Sequence, residues 1–131
     1  MMEMANDSSK LFLGYMFTAL AGDSRYVDRI EVYQDYGTRK VHVVVSERTA
    51  VNGMDGYQGP TSYEVRAQAE VDPNPGLVLK TIKKFIADDR FNFKKYGKAS
   101  KNFTIRTRSG ERSGINLSLI EEALLKEGEG R

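Results

Sequence analysis

The chain has 131 residues, a mass of 14.8 kDa and a formal charge of +2. That length suits a single domain spanning residues 1–131, large enough to bury a real core. The absence of cysteine excludes a disulfide framework, thiol catalysis and any Cys-ligated zinc or iron–sulfur centre. The modest total charge conceals an uneven distribution. Residues 80–113 carry 11 Lys/Arg against 3 Asp/Glu, whereas residues 1–79 carry 7 against 11. A polyanion responds to such local charge more than to the total.

Taken in chain order, Ser8 and Ser9 are N-cap candidates for a first helix over about 9–21. Phe12, Leu13, Met16, Phe17 and Leu20 then fall on one face of a 3.6-residue period, and Gly22 is a candidate stop. The same apolar run, ending in Ala19-Leu20-Ala21, imitates a secretory signal, but Glu3 and Asp7 outweigh Lys10 in the segment before it. At roughly twelve apolar residues it is too short to cross a bilayer. A cytoplasmic location without membrane contact is the expectation.

"RYVDRIEVYQDYGTRKVHVVVSE" predicts two strands around a turn at Asp35-Tyr36-Gly37-Thr38. A long loop at about 47–60 follows, with Asn52-Gly53, Asp55-Gly56 and Gly59-Pro60 as turn chemistry. The third strand alternates cleanly: Tyr63, Val65, Ala67, Ala69 and Val71 are expected on one face, Glu64, Arg66, Gln68 and Glu70 on the other. "DPNPG" ends it. A helix over about 76–88 presents Val78, Leu79, Ile82, Phe85 and Ile86, with Lys80, Lys83 and Lys84 around the other side. Two short strands at about 103–108 and 111–116 turn at Ser109-Gly110. A last helix over about 119–127 is expected to start on a capping box of Ser118 and Glu121 and to stop at Gly128. The order α-β-β-β-α-β-β-α predicts an α+β fold, a mostly antiparallel sheet with packed helices.

No catalytic constellation emerges, so neither a catalytic residue nor a cofactor is expected. His42, the single histidine, sits among strand valines, which leaves no histidine pair for a metal and no nucleophile-elbow context for a triad. The glycine-rich loop matches neither phosphate-binding fingerprint.

The basic segment carries more signal. "RFNFKKYGKASKNF" (90–103) holds five cations, no acid and four aromatics, and Arg106, Arg108 and Arg112 continue it. Lys94, Lys95, Lys98, Lys101, Arg106, Arg108 and Arg112 are candidate contacts to nucleic acid or another polyanion, with Phe93 or Tyr96 stacking on bases. The competing reading makes Phe91, Phe93 and Phe103 core residues and the lysines ordinary solvated charge.

The loop carries a second signal. Each arm of a 14-residue connection can extend roughly 20 Å, beyond the radius of gyration of about 14 Å expected for this length. Met54, Asp55 and Tyr57 near its tip are candidate subunit contacts.

"VVVSERTAVNGMDGYQGPTSYEVRAQAEVD" followed by "PGLVLKTIKKFIADD" resembles the central part of tailed-phage tail-terminator (tail-completion) proteins over about residues 9–88, with Met54-Asp55-Gly56 as the apolar-Asp-Gly step. The resemblance implies a non-enzymatic, ring-forming structural subunit of a phage tail. Its partners would be further copies of itself and neighbouring assembly proteins, in the host cytoplasm or the virion. Residues beyond 90 depart from the family pattern. The α-β-β-β-α order also resembles the double-stranded-RNA-binding domain, but "PNPGLVLK" stands where that domain has its basic signature. A nucleic-acid-binding domain, for DNA or RNA, is the alternative function.

Overall fold

The computed structural model describes residues 9–17, 28–50, 62–91, 93 and 103–126. The fold is α+β. Strands β1 (Lys10–Phe17), β2 (Asp28–Asp35), β3 (Val41–Ala50) and β4 (Ser62–Val71) precede helix α1 (Pro75–Ala87). Strands β5 (Thr104–Thr107) and β6 (Gly110–Ser113) and helix α2 (Leu117–Ala123) complete it. All six strands form one antiparallel sheet in the order β4-β3-β2-β1-β5-β6. The chain therefore leaves one edge through α1 and returns beside β1 near the other.

The first element departs from the sequence reading. Residues 10–17 form a strand where a helix was expected, and residues 18–27 lie outside the described residues. The cause is a bulge: Phe12 pairs with Tyr33 and Gly14 with Val32, which leaves Leu13 as an extra residue. The inserted residue breaks the two-residue alternation and brings apolar residues next to each other, as a helix face does.

Each strand of the meander divides its residues between two faces. On β2, Asp28, Ile30, Val32 and Gln34 are buried while Arg29, Glu31, Tyr33 and Asp35 are half-buried. Val41, Val43 and Val45 lie directly opposite Gln34, Val32 and Ile30. Both helices add to this core, α1 with Val78 and Ile82 and α2 with Ile120 and Ala123. Full burial of each such valine or isoleucine is worth about 1.5–3 kcal/mol. Phe91, Phe93, Phe103 and Ile105 close the same cluster.

A second bulge lies in β4. Val45 pairs with Ala67 but Ser46 with Val65, so Arg66 is the extra residue. Ala67, Ala69 and Val71 face the core opposite Val45, Val43 and Val41. Tyr63 and Val65 pass to the other face, and Val65 is 58% exposed. The five-residue alternation read from sequence is thus split in two.

Local chemistry explains the turns and caps. Asp35 accepts hydrogen bonds from the N–H groups of Gly37 at 2.8 Å and Thr38 at 3.0 Å. The Thr38 N–H foremost, then the Gly37 N–H and Lys10, hold its carboxyl below the usual carboxylate range. Asn74 caps α1 by accepting from the Leu77 N–H at 3.1 Å, with Pro75 opening the first turn. Asn116 caps α2 by accepting from the Leu119 N–H at 3.0 Å, so the expected Ser118 and Glu121 capping box is not what starts that helix. Buried Gln34 donates from Nε2 to the Arg39 carbonyl at 2.9 Å and accepts from the Leu125 N–H at 2.7 Å, tying the β2–β3 turn to the exit of α2.

Gly14 sits where β5 approaches β1 most closely. A Cβ there would lie 2.6 Å from the Thr104 carbonyl oxygen and 2.8 Å from Cε1 of Phe103. Gly14→Ala is expected to force the two strands apart and cost about 2 kcal/mol or more, as other overpacked sites do. Urea unfolding checks this, and a loss under about 0.5 kcal/mol, within surface-substitution noise, would contradict it.

Candidate functional site

The face of the sheet opposite the core carries no helix among the described residues, and antiparallel register arranges its side chains in rows. One row runs Phe12, Tyr33, His42, Glu70. The next runs Thr104, Tyr15, Glu31, Val44, Gln68, and a third contains Arg29, Ser46 and Val65. Among the described side chains this face carries the aromatic rings of Phe12, Tyr15, Tyr33 and Tyr63. Phe12 stacks with Tyr15 at 6.0 Å between centroids and meets Tyr33 at 5.4 Å. The Arg29 guanidinium lies 3.6 Å over the Tyr63 ring, and Arg106 lies 5.8 Å over Phe12. Arginine thus flanks the aromatic strip on both sides.

Charges on this face come in pairs. Arg29 meets Glu31 at 3.4 Å, Arg106 meets Glu111 at 3.3 Å and Lys10 meets Asp35 at 3.9 Å. His42 Nε2 is 3.7 Å from a Glu70 carboxylate oxygen. The face is therefore polar and aromatic without a strong excess of either sign. Burial, with the charge and hydrogen bond of Glu31, pushes the Tyr33 phenol up to about 12. Arg29 Nε, His42 Nε2 and Ser46 Oγ are buried with no hydrogen-bond partner among the described residues, and all three belong to residues of this face.

At the Lys10 end of the sheet a cleft of about 300 Å³ opens where α2 passes β1 and β5. Leu11, Phe12, Leu124 and Leu125 line it on one side, and Arg106, Thr107 and Arg108 on another. Glu122 also lines it and accepts from the Ser109 hydroxyl at 3.4 Å.

Of the residues singled out from sequence, Met54, Asp55, Tyr57, Lys94, Lys95, Tyr96, Lys98 and Lys101 lie outside the described residues. Phe93 is 1% exposed and packs edge-on against Phe91, so its ring has no face free for a base, and the stacking expected of it is corrected. Arg106 and Arg112 are not brought together. Arg106 pairs across the hairpin with Glu111, while Arg112 lies opposite the buried Ile105 and so points to the helix-bearing side. Arg112 donates to the Ser109 hydroxyl at 2.9 Å, and Arg108 stands in the turn between the two strands.

Sequence reasoning did not single out Phe12, Tyr15, Tyr33 or Tyr63 as a surface. The alternation of Arg29, Glu31 and Tyr33 was a usable signal, whereas the two bulges hid the others. Among the described residues, no group of three His, Asp or Glu could hold a metal ion, and no helix is long and apolar enough to cross a membrane. No family model, curated protein or solved structure matches the chain.

The Tyr33 environment has a measurable signature. A phenol raised from 10.0 to about 12 favours folding fully below pH 10, and that contribution is lost as pH rises through the folded value. In a tyrosinate absorbance titration, Tyr33 should ionise about two pH units above the ordinary phenol value of 10.0. Tyr33→Phe should remove that late phase. Simultaneous titration of all seven tyrosines while the fold persists would contradict the assignment.

Proposed function

We propose that this protein is a non-enzymatic structural subunit that self-associates, a tail-terminator-like ring component, and that the sheet face opposite the core contacts its neighbours. One observation carries the reading: a sheet face that bears no helix among the described residues and presents Phe12, Tyr15, Tyr33 and Tyr63, flanked by Arg29 and Arg106, with exposed Val65 beside them. Aromatic residues and arginine are enriched in protein interfaces and lysine is depleted. Paired charges reduce the cost of covering such a face, because each cation already has its counterion. The ring comes from the resemblance over residues 9–88, since head-to-tail contacts that close generate rings.

Nucleic acid as partner draws less support. Polyanion binding needs cations collected on one surface. Arg29 and Arg106 each face an acid, Arg112 lies on the opposite side, and Phe93 is in the core.

Val65→Asp tests the reading with little risk to folding, because the side chain is 58% exposed. Light scattering should show wild-type chain assembling with concentration and the variant staying monomeric with an unchanged circular dichroism spectrum. Equal assembly by both chains would refute the role of the face. A monomeric wild type that retains single-stranded DNA on filters, more strongly at low salt, would transfer the function to the nucleic-acid reading.

A further inference from the structure

Helix α1 buries one side and gives the other to solvent. Val78 and Ile82 are buried in the core, and Leu79, Phe85 and Ile86 pack against it. Lys80, Lys83 and Lys84 are exposed on the remaining surface. Side chains three and four residues apart on a helix are neighbours, about 5–6 Å between Cβ atoms. Three ammonium groups therefore share one small patch.

Cations elsewhere on the molecule are neutralised locally. Lys40 meets Asp72, Arg66 meets Glu47 and Arg90 meets Asp88. None of the three α1 lysines has an ion pair among the described residues, and Pro75–Ala87 contains no acid. Asp88, just beyond the helix, is committed to Arg90, whose hydrogen bond does most to hold its carboxyl below the usual carboxylate range. Compensation of the helix dipole accounts for Lys84, in the last turn, but not for Lys80 or Lys83.

A helix that lies in a membrane interface inserts its apolar face into lipid. The apolar face of α1 is already packed on the sheet. Leu77 is exposed at 42%, and one leucine is a poor anchor. The patch therefore offers charge alone. Lysine is a compact point charge that suits phosphate contacts, which position a protein on a duplex without reading its bases. From Lys80 to Lys84 the helix advances about 6 Å, and a duplex presents about three to four phosphate charges over that length.

We infer that α1 binds the phosphate backbone of a nucleic-acid duplex through Lys80, Lys83 and Lys84, independently of base sequence. The patch lies on the helix-bearing side of the sheet, away from Phe12, Tyr15 and Tyr33, so the inference does not rest on self-association. It also differs from the 90–112 tract, where Arg106 and Arg112 part to opposite sides of their hairpin.

Fluorescence anisotropy with short DNA and RNA duplexes, at chain concentrations below those that favour association, tests this. The slope of log affinity against log salt should be steeper for wild type than for Lys80→Gln, Lys83→Gln and Lys84→Gln combined, by about 2.7 at about 0.9 per phosphate contact. Between about 50 and 200 mM salt that difference is roughly 40-fold in affinity. Replacing the same three lysines by arginine should keep the slope, because the charge is kept. Glutamine and arginine match lysine in helix propensity, so both triple variants should retain the wild-type circular dichroism spectrum. Lys126→Gln, at an exposed position after α2, should leave the slope unchanged. Two DNA duplexes of unrelated sequence should bind alike. The inference is overturned if wild type binds neither duplex at low salt, or if the glutamine variant keeps the wild-type slope. A strong preference between the two sequences also overturns it, as does a loss of slope in Lys126→Gln equal to that per α1 lysine, which would make net charge the cause. Retention on phosphatidylserine vesicles with no binding to either duplex overturns it as well, and makes an anionic membrane the partner. None of these outcomes bears on Val65→Asp, so failure here leaves the reading of the sheet face standing.

Discussion

The close approach of β5 to a residue with no side chain is the constraint on which the rest of the sheet depends. Among the described residues, β1 is the strand that joins the β2–β3–β4 meander to the β5–β6 hairpin. At Gly14 the Thr104 carbonyl and the Phe103 ring occupy the space a Cβ would need. The described elements after α1 gather around this contact: Phe103 and Ile105 enter the core, α2 packs beside β5 and α1, and Gln34 secures the chain after α2. Gln34 is costly to lose, because an unmet buried hydrogen bond costs about 1–3 kcal/mol and it meets two backbone groups.

Much of the architecture was legible in the sequence, and the failures share one cause. The strand of Ser62–Val71, the β2–β3 hairpin, the helix after "DPNP" and the short hairpin around Ser109 all follow from alternation, turn residues and 3.6-residue spacing. The first strand was not legible because Leu13 is inserted between two halves whose alternation is out of phase. The face of β4 was half legible for the same reason, with Arg66 as the insertion. A bulge leaves each half of a strand intact but exchanges faces, and a single sequence carries no mark of where the exchange falls.

The aromatic face was hidden by this same effect. Phe12 read as part of a helix face, and Tyr63 read as sharing one strand face with Val65, Ala67, Ala69 and Val71. Register brings them beside Tyr33 only once both insertions are placed. The basic segment shows the converse. Its density of cations was plain in the sequence, but strand pairing sends Arg106 and Arg112 to opposite sides and packing takes Phe93 inside. One-dimensional charge density therefore does not tell which face each cation occupies, and Lys94, Lys95, Lys98 and Lys101 lie outside the described residues.

Hydroxyl-radical footprinting of the wild-type chain, below and above the concentration at which it associates, tests the role of that face most directly. Oxidation of Tyr63, Val65, Tyr15 and Phe12 should fall on association, while exposed Leu77 on α1 stays equally reactive. Unchanged oxidation of those four residues in the associated state would show that the face remains open to solvent and would contradict the role assigned to it.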